Sequence, residues 1–162
     1  MMVGIIFFVI LGVAFVVSRI IAHRFAWEYL AGGLCFGMYN EICFEFCWNY
    51  SDKLAPMIWR DVPLVVVLGW GMMTVMALVI SDRVCMRYRL KNRLIKRGCD
   101  TLFFILLCVP NEIGMSKLGY WSYNFPIQGE LWMQIYGYVF VSLIVSSLGR
   151  SVQMIADDRF RE

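Results

Sequence analysis

The sequence predicts an all-α protein, a polytopic helical bundle that crosses a membrane about five times. The chain has 162 residues, is 60% hydrophobic and has a mean hydropathy of +0.66, whereas soluble domains are roughly 45–50% apolar. Several stretches approach the roughly 20 apolar residues that a spanning helix needs. Little sequence remains for a soluble part, so we expect a single membrane domain over residues 1–162. The five predicted spans are 2–18, 25–48, 63–82, 101–120 and 131–149.

Positive charges predict how this bundle is oriented. Residues 83–99, here called the basic loop, contain seven lysines and arginines and no acidic residue. Loops of this kind remain in the cytoplasm, and the arginine-containing tail 150–162 would lie on the same side. We therefore expect the N-terminus outside, in a bacterial or archaeal cytoplasmic membrane. The basic side chains are candidate contacts for anionic lipid headgroups: Arg83, Arg87, Arg89, Lys91, Arg93, Lys96 and Arg97.

Two stretches of the chain resemble each other. NEICFEFCWNY (40–50) and NEIGMSKLGYWSY (111–123) both begin with Asn-Glu-Ile and end with Trp-x-Tyr. In each case a loop containing proline follows, and then a span in which an aromatic residue follows a glycine. The similarity predicts one leading helix followed by two hairpins in a parallel internal repeat.

The repeat predicts a polar pocket at one depth in the bundle. Glu41 precedes Trp48 by seven residues, and Glu112 precedes Trp121 by nine. Tryptophans gather at the membrane interface, so a rise of about 1.5 Å per residue puts both carboxylates roughly 10–14 Å below it. A carboxylic acid that is uncharged in a dry pocket is a proton donor suited to acid catalysis. Glu41 and Glu112 are therefore the candidate catalytic residues. The candidate substrate-binding residues are Asn40, Asn111, Trp48, Trp70, Trp121 and Tyr123.

A structural role for the same carboxylates is the alternative. Polar side chains also join membrane helices by hydrogen bonds, and Lys117 is the nearest cation to Glu112. Their spacing of five residues does not put them on one helix face. Glu45 lies only about one turn below Trp48, shallow enough to reach interfacial water. We therefore exclude Glu45 from the candidate site.

The sequence indicates no metal, cofactor or nucleic acid. His23 is the only histidine, so neither a bis-histidine haem site nor a histidine-rich metal centre can form. Motifs for binding phosphate or for nucleophilic catalysis are missing from the sequence.

Several of these motifs together are similar to those of carotenoid-pathway membrane proteins. The matching residues are Glu41, Trp48 to Tyr50, RDVPLVVVLGW (60–70), Asp100 and GYWSYNFPIQGE (119–130). They resemble the small lycopene-cyclase type and the carotenoid hydratase type. Cyclases of that type carry Pro-x-Glu-Glu. The nearest counterparts here are Pro110 followed by Asn111 and Glu112, and Pro126 followed at a distance by Glu130, and neither has the paired acids. The hydratase type is longer and has more spans.

The resemblance implies a cofactor-free lyase or isomerase that acts on a lipid polyene. Glu41 or Glu112 would protonate a double bond, and the tryptophan rings would stabilise the resulting cation. Two other functions stay open from the residues alone. One is a non-catalytic subunit of a larger membrane complex, and the other is a small transporter or sensor with a carboxylate relay. The expected partners are membrane lipids and either other membrane proteins or a second copy of the chain.

Overall fold

The computed structural model describes residues 26–159, with side chains to residue 155, and residues 9, 12, 13, 15, 16 and 18–20 before them, which are helical. The predicted span 2–18 lies largely outside this part, as do His23 and the end of the tail. Four helices follow: α1 (Trp27–Cys43), α2 (Leu64–Arg87), α3 (Arg93–Lys117) and α4 (Leu131–Arg159).

Three of these helices are long and apolar enough to cross a membrane: α2, α3 and the Leu131–Ile155 part of α4. The structure is thus compatible with the predicted integral membrane protein. Helix α1 has 17 residues and ends at Cys43, five residues before the predicted limit. The five-span arrangement therefore stays a prediction.

The four helices form a ring in which each packs on two neighbours. Helix α1 packs on α2 and α4, and α3 packs on the same two helices from the other side. The centre of the four-helix bundle is apolar. Four side chains are fully buried there: Val75, Leu78, Phe104 and Val145. Large apolar side chains such as Tyr136, Phe140 and Ile144 on α4 are exposed, as expected of a lipid-facing surface.

Four short strands lie at one end of the bundle. They are β1 (Trp48–Tyr50), β2 (Met57–Trp59), β3 (Val62–Pro63) and β4 (Trp121–Tyr123). Strand β1 pairs antiparallel with β4, and β2 pairs antiparallel with β3. The β1–β4 pair, here called the ribbon, ties the loop after α1 to the loop after α3. The sequence predicted no strand here, because three residues are too few to produce an alternating pattern.

The predicted basic loop is mostly helical. Helix α2 continues to Arg87 and α3 begins at Arg93, eight residues before the predicted span 101–120. Only residues 88–92 connect the two helices, and the Asn92 side chain caps α3 by accepting from the Leu94 amide at 2.8 Å.

Close approach of α1 to α4 depends on Gly32, and this gives a first prediction. A Cβ on Gly32 would lie 2.6 Å from the Gly149 Cα, which is backbone and cannot move alone. Gly32→Ala should therefore push the two helices apart and destabilise the fold by about 1–3 kcal/mol. Thermal unfolding in detergent micelles measures this cost. Gly98→Ala is the matched control, since a Cβ there meets nothing within 4 Å. Equal melting temperatures for both variants would contradict the close packing.

Candidate functional site

The ribbon directs two tryptophans and two tyrosines to the same face. Trp48 pairs with Tyr123, and Tyr50 pairs with Trp121, around the exposed central pair Asn49 and Ser122. Alternate residues of a strand point to one side. The four aromatic side chains therefore point to the partly buried face, toward the ends of α1 and α3.

Glu41 is buried beneath this ribbon with only 1% of its surface exposed. Its Oε2 accepts from Trp48 Nε1 at 3.1 Å and from the Tyr50 hydroxyl at 2.5 Å. Its Oε1 accepts from Trp70 Nε1 at 2.8 Å and, more weakly, from Asn40 Nδ2 at 3.4 Å. Each oxygen thus accepts from one indole N–H, which can only donate.

Glu112 has a corresponding set of donors from the other hairpin. Its Oε1 accepts from Trp121 Nε1 at 2.9 Å and from the Tyr123 hydroxyl at 2.7 Å. Its Oε2 accepts from the Tyr138 hydroxyl at 2.9 Å. Unlike Glu41, this residue is only partly buried.

The two carboxylates differ in the donors that their oxygens meet. A tyrosine hydroxyl can turn and accept, whereas an indole N–H cannot. Among the described residues, Glu112 Oε2 accepts from the Tyr138 hydroxyl and from no indole. Each oxygen of Glu41, in contrast, accepts from a tryptophan.

The tyrosines of the ribbon remain protonated donors. Burial raises the pKa of Tyr50 well above its ordinary value, and the nearby Glu41 charge raises it further. Burial also raises the pKa of Tyr123, with the Glu112 charge acting in the same direction. Both hydroxyls therefore keep their protons at any physiological pH.

The two carboxylates share one cavity of about 370 Å³. Two aromatic contacts join their donor sets: Tyr50 meets Trp121 with ring centroids 6.1 Å apart, and Trp70 meets Tyr138 at 6.1 Å. The remaining walls are mostly apolar, with Met73, Met115, Val66 and Val141 among them. The cavity thus combines an apolar interior with two hydrogen-bonded carboxylates.

The structure brings the predicted site residues together. Glu41, Glu112 and all six candidate substrate-binding residues line this cavity; whether they bind or react with a substrate stays a prediction. Tyr50, Gln134 and Tyr138 also line it but were not predicted. Tyr138 had a signal in the sequence, since it follows Gly137 as Trp70 follows Gly69 in the other hairpin.

Glu45 belongs to neither group of hydrogen bonds around Glu41 and Glu112 and has a partner of its own. Its Oε1 is 2.7 Å from Arg60 Nη1, and the Arg60 side chain is 69% exposed. Lys117 is exposed, and no described ion pair joins it to Glu112. The hydrogen bonds of Glu112 come from aromatic donors instead.

A second polar group, here called the inner cluster, lies at the opposite end of the bundle. Arg150 makes a bidentate pair with the fully buried Asp100, at 3.0 Å from Nε and 2.6 Å from Nη2. Arg150 Nη1 also lies 3.0 Å from Asp82, which pairs with Lys96 at 3.0 Å and accepts from the Tyr29 hydroxyl. The inner cluster joins all four helices, and its two carboxylates are balanced by two cations.

The candidate lipid-headgroup residues divide into two groups. Lys96 pairs with Asp82, and Arg97 donates to the Ser146 hydroxyl at 2.8 Å, so both have partners within the bundle. The other five are exposed: Arg83, Arg87, Arg89, Lys91 and Arg93.

Over the described ranges, no three histidine, cysteine or acidic side chains are grouped so that they could hold a metal ion. No family model, curated protein or solved structure matches this chain.

A second prediction concerns the stability that Glu41 contributes. Glu41→Gln replaces one carboxylate oxygen with an NH2 group, so one of the two indoles loses its acceptor whichever way the amide turns. An unsatisfied buried donor costs about 1–3 kcal/mol, and we expect the free energy of unfolding to fall by that amount in a denaturant titration. Glu45→Gln is the control, with an expected change of about 0–1 kcal/mol because its ion pair is exposed. An unchanged stability of Glu41→Gln would contradict the hydrogen-bond assignment.

Proposed function

We propose that the chain is an intramembrane enzyme that performs cofactor-free acid–base chemistry on an isoprenoid polyene. The observation that carries this proposal is the joint position of Glu41 and Glu112 on one largely apolar cavity. An apolar cavity with a few convergent polar groups is the usual form of a small-molecule site. The different hydrogen bonds of the two carboxylates then support different roles for them.

In this reaction Glu112 is the acid. Its Oε2 proton moves to one carbon of a terminal double bond, whose π electrons form the new C–H bond and leave a carbocation on the neighbouring carbon. The negative charge of Glu41 and the faces of the surrounding tryptophans and tyrosines stabilise that cation. Either a second double bond attacks it and a proton returns to Glu112, which gives a cyclic isomer, or water adds and releases the proton. The first outcome is an isomerisation, and the second is a hydration.

The cavity size limits which part of a substrate can enter. A volume of about 370 Å³ holds roughly a dozen groups of the size of water, at about 30 Å³ each. One end of a long polyene fits this space, while the remainder must extend beyond it. We therefore propose an end-group reaction rather than chemistry at the middle of the chain.

The test is turnover by the purified chain in liposomes that contain lycopene as the probe. Cyclisation and hydration both remove a double bond from the polyene end, and chromatography with mass detection separates an isomer from a product heavier by one water. The proposal expects one of these products. Unchanged lycopene with a folded chain, in liposomes that also include shorter acyclic isoprenoids, would contradict it.

The proposal also includes the internal repeat. Three donors correspond in the two hydrogen-bond sets: Trp48, Tyr50 and Trp70 around Glu41, and Trp121, Tyr123 and Tyr138 around Glu112. The Asn40 donor to Glu41 has no counterpart among the described bonds of Glu112. The antiparallel ribbon joins equivalent segments in a symmetric register. This correspondence supports a parallel repeat in which each hairpin supplies one carboxylate.

A proton-coupled carrier is the second candidate. The observation in its favour is the inner cluster, which puts the fully buried Asp100 and the partly buried Asp82 at the end of the bundle opposite Glu41 and Glu112. Proteoliposomes with an imposed pH gradient would then show solute or proton flux. If a chain that turns over lycopene shows no flux, the carrier proposal is contradicted.

Orientation and partners remain part of the proposal. The exposed arginines and lysine around residues 83–93 support a cytoplasmic position near anionic lipid. A subunit of a larger complex would be recovered with stoichiometric partners after gentle solubilisation, whereas the enzyme proposal expects an active isolated chain.

A further inference from the structure

The cavity has two carboxylates in its lining and no cationic side chain beside them. Glu41 and Glu112 both line it, and no lysine, arginine or histidine is among the described residues that line it. The inner cluster differs, since its two carboxylates have two cationic partners. A carboxylate in an apolar interior gains from a cationic partner, and here a ligand can supply the cation that the lining lacks.

The walls suit an organic cation rather than a metal ion. Glu41 is 1% exposed and both of its oxygens already accept hydrogen bonds, so neither is free to coordinate a metal. Rings of Trp48, Trp70, Trp121 and Tyr138 line the space beside the carboxylates. Aromatic faces attract ammonium groups, and this attraction strengthens where water is excluded.

Gln134 adds an unsatisfied acceptor to the lining. Its side chain is 8% exposed, and its Nε2 donates to the Tyr123 hydroxyl at 3.0 Å. Its Oε1 is buried and has no partner in the described part of the chain. Buried acceptors are normally satisfied, and turning this amide toward the cavity would let an N–H of a ligand supply the missing donor.

We propose that this cavity binds the protonated amine head of an amphiphile. Glu112 pairs with the ammonium group, Gln134 accepts one of its N–H bonds, and the alkyl tail lies along the apolar wall that includes Val66, Met73 and Val141. The inference goes beyond the proposed reaction and does not depend on it, because binding requires only the charge, shape and acceptors of the cavity.

The probe is dodecylamine, titrated into the purified chain in nanodiscs of zwitterionic phosphatidylcholine. Binding is followed by tryptophan fluorescence, since three tryptophans line the cavity, and protein-free nanodiscs measure partition into lipid. We expect one saturable site per chain and much weaker saturation by dodecanol, which has the same tail and no charge. Equal binding of dodecanol would overturn the proposal.

Variants separate the cavity from the surface. Glu112→Gln should weaken amine binding at least about tenfold, as for the loss of a buried partner of a charge, while Glu112→Asp, which keeps the charge, retains most of it. Asp52→Asn removes an exposed acid at the strand end of the bundle and should change nothing. Unweakened binding by a folded Glu112→Gln chain would overturn the proposal. If the chain binds the amine but does not turn over lycopene, only the proposed reaction is contradicted. If it turns over lycopene but does not bind the amine, only the amine-binding proposal is contradicted.

Discussion

Replacing Glu112 with Gln is expected to lower the rate of product formation from a polyene by about 10²–10⁴, the usual contribution of a positioned general acid. The amide can still accept from Trp121 or Tyr123, so the hydrogen bonds at one oxygen remain possible. It cannot carry the proton that the proposed reaction needs. The loss should therefore appear in kcat, measured in liposomes by product formation.

Two further variants show whether the fall in kcat comes from loss of the proton donor or from unfolding of the chain. Glu130→Gln changes an exposed acid just before α4 and should leave kcat unchanged. Tyr138→Phe removes the hydroxyl that can accept the Glu112 proton and should alter the pH profile of kcat, while activity is partly retained. A folded Glu112→Gln chain with the kcat of the original protein would contradict the role of this residue.

Replacing Arg150 with Met is expected to lower the free energy of unfolding by about 3–5 kcal/mol, because it leaves a buried charge without its partner. Asp100 is fully buried, and its two oxygens accept hydrogen bonds from Nε and Nη2 of Arg150. Its other described donor is the Ser81 hydroxyl at 2.6 Å, which carries no charge. Thermal or denaturant unfolding in micelles measures the effect.

The control for this variant is Arg83→Met, a change to an exposed arginine on α2, with an expected cost near zero. A second replacement tests the cause: Asp100→Asn in the Arg150→Met chain should recover part of the lost stability by removing the unpaired charge. A double variant that is less stable than Arg150→Met would show that the ion pair is not the source of the effect.

Positions along the chain were enough to predict one polar pocket that contains Glu41 and Glu112, and both residues line one cavity in the structure. Their common depth in a membrane stays a prediction. Each glutamate precedes a tryptophan by seven or nine residues, and such local distances depend on the helical rise alone. Glu45 could be excluded for the same reason. Trp48, Trp121 and Tyr123 were predicted near the carboxylates because the Trp-x-Tyr motif follows each of them.

Contacts between distant parts of the chain could not be predicted in this way. The ribbon pairs Tyr50 with Trp121, and a strand of three residues has no pattern of its own. The inner cluster depends on Arg150 reaching Asp82 and Asp100 on two other helices. Gln134 is likewise one polar residue in an apolar span, and only the assembled cavity gives it a partner in Tyr123.

The most direct test of the account is the origin of the proton that the product gains. The purified chain in liposomes is given lycopene in D2O, and the product is analysed by mass spectrometry and NMR. If the carboxyl proton of Glu112 exchanges with solvent and then protonates the polyene end, the product contains one carbon-bound deuterium at the reacted end group. The Glu112→Gln chain should form no deuterated product. Product that forms without carbon-bound deuterium would contradict acid chemistry in this cavity.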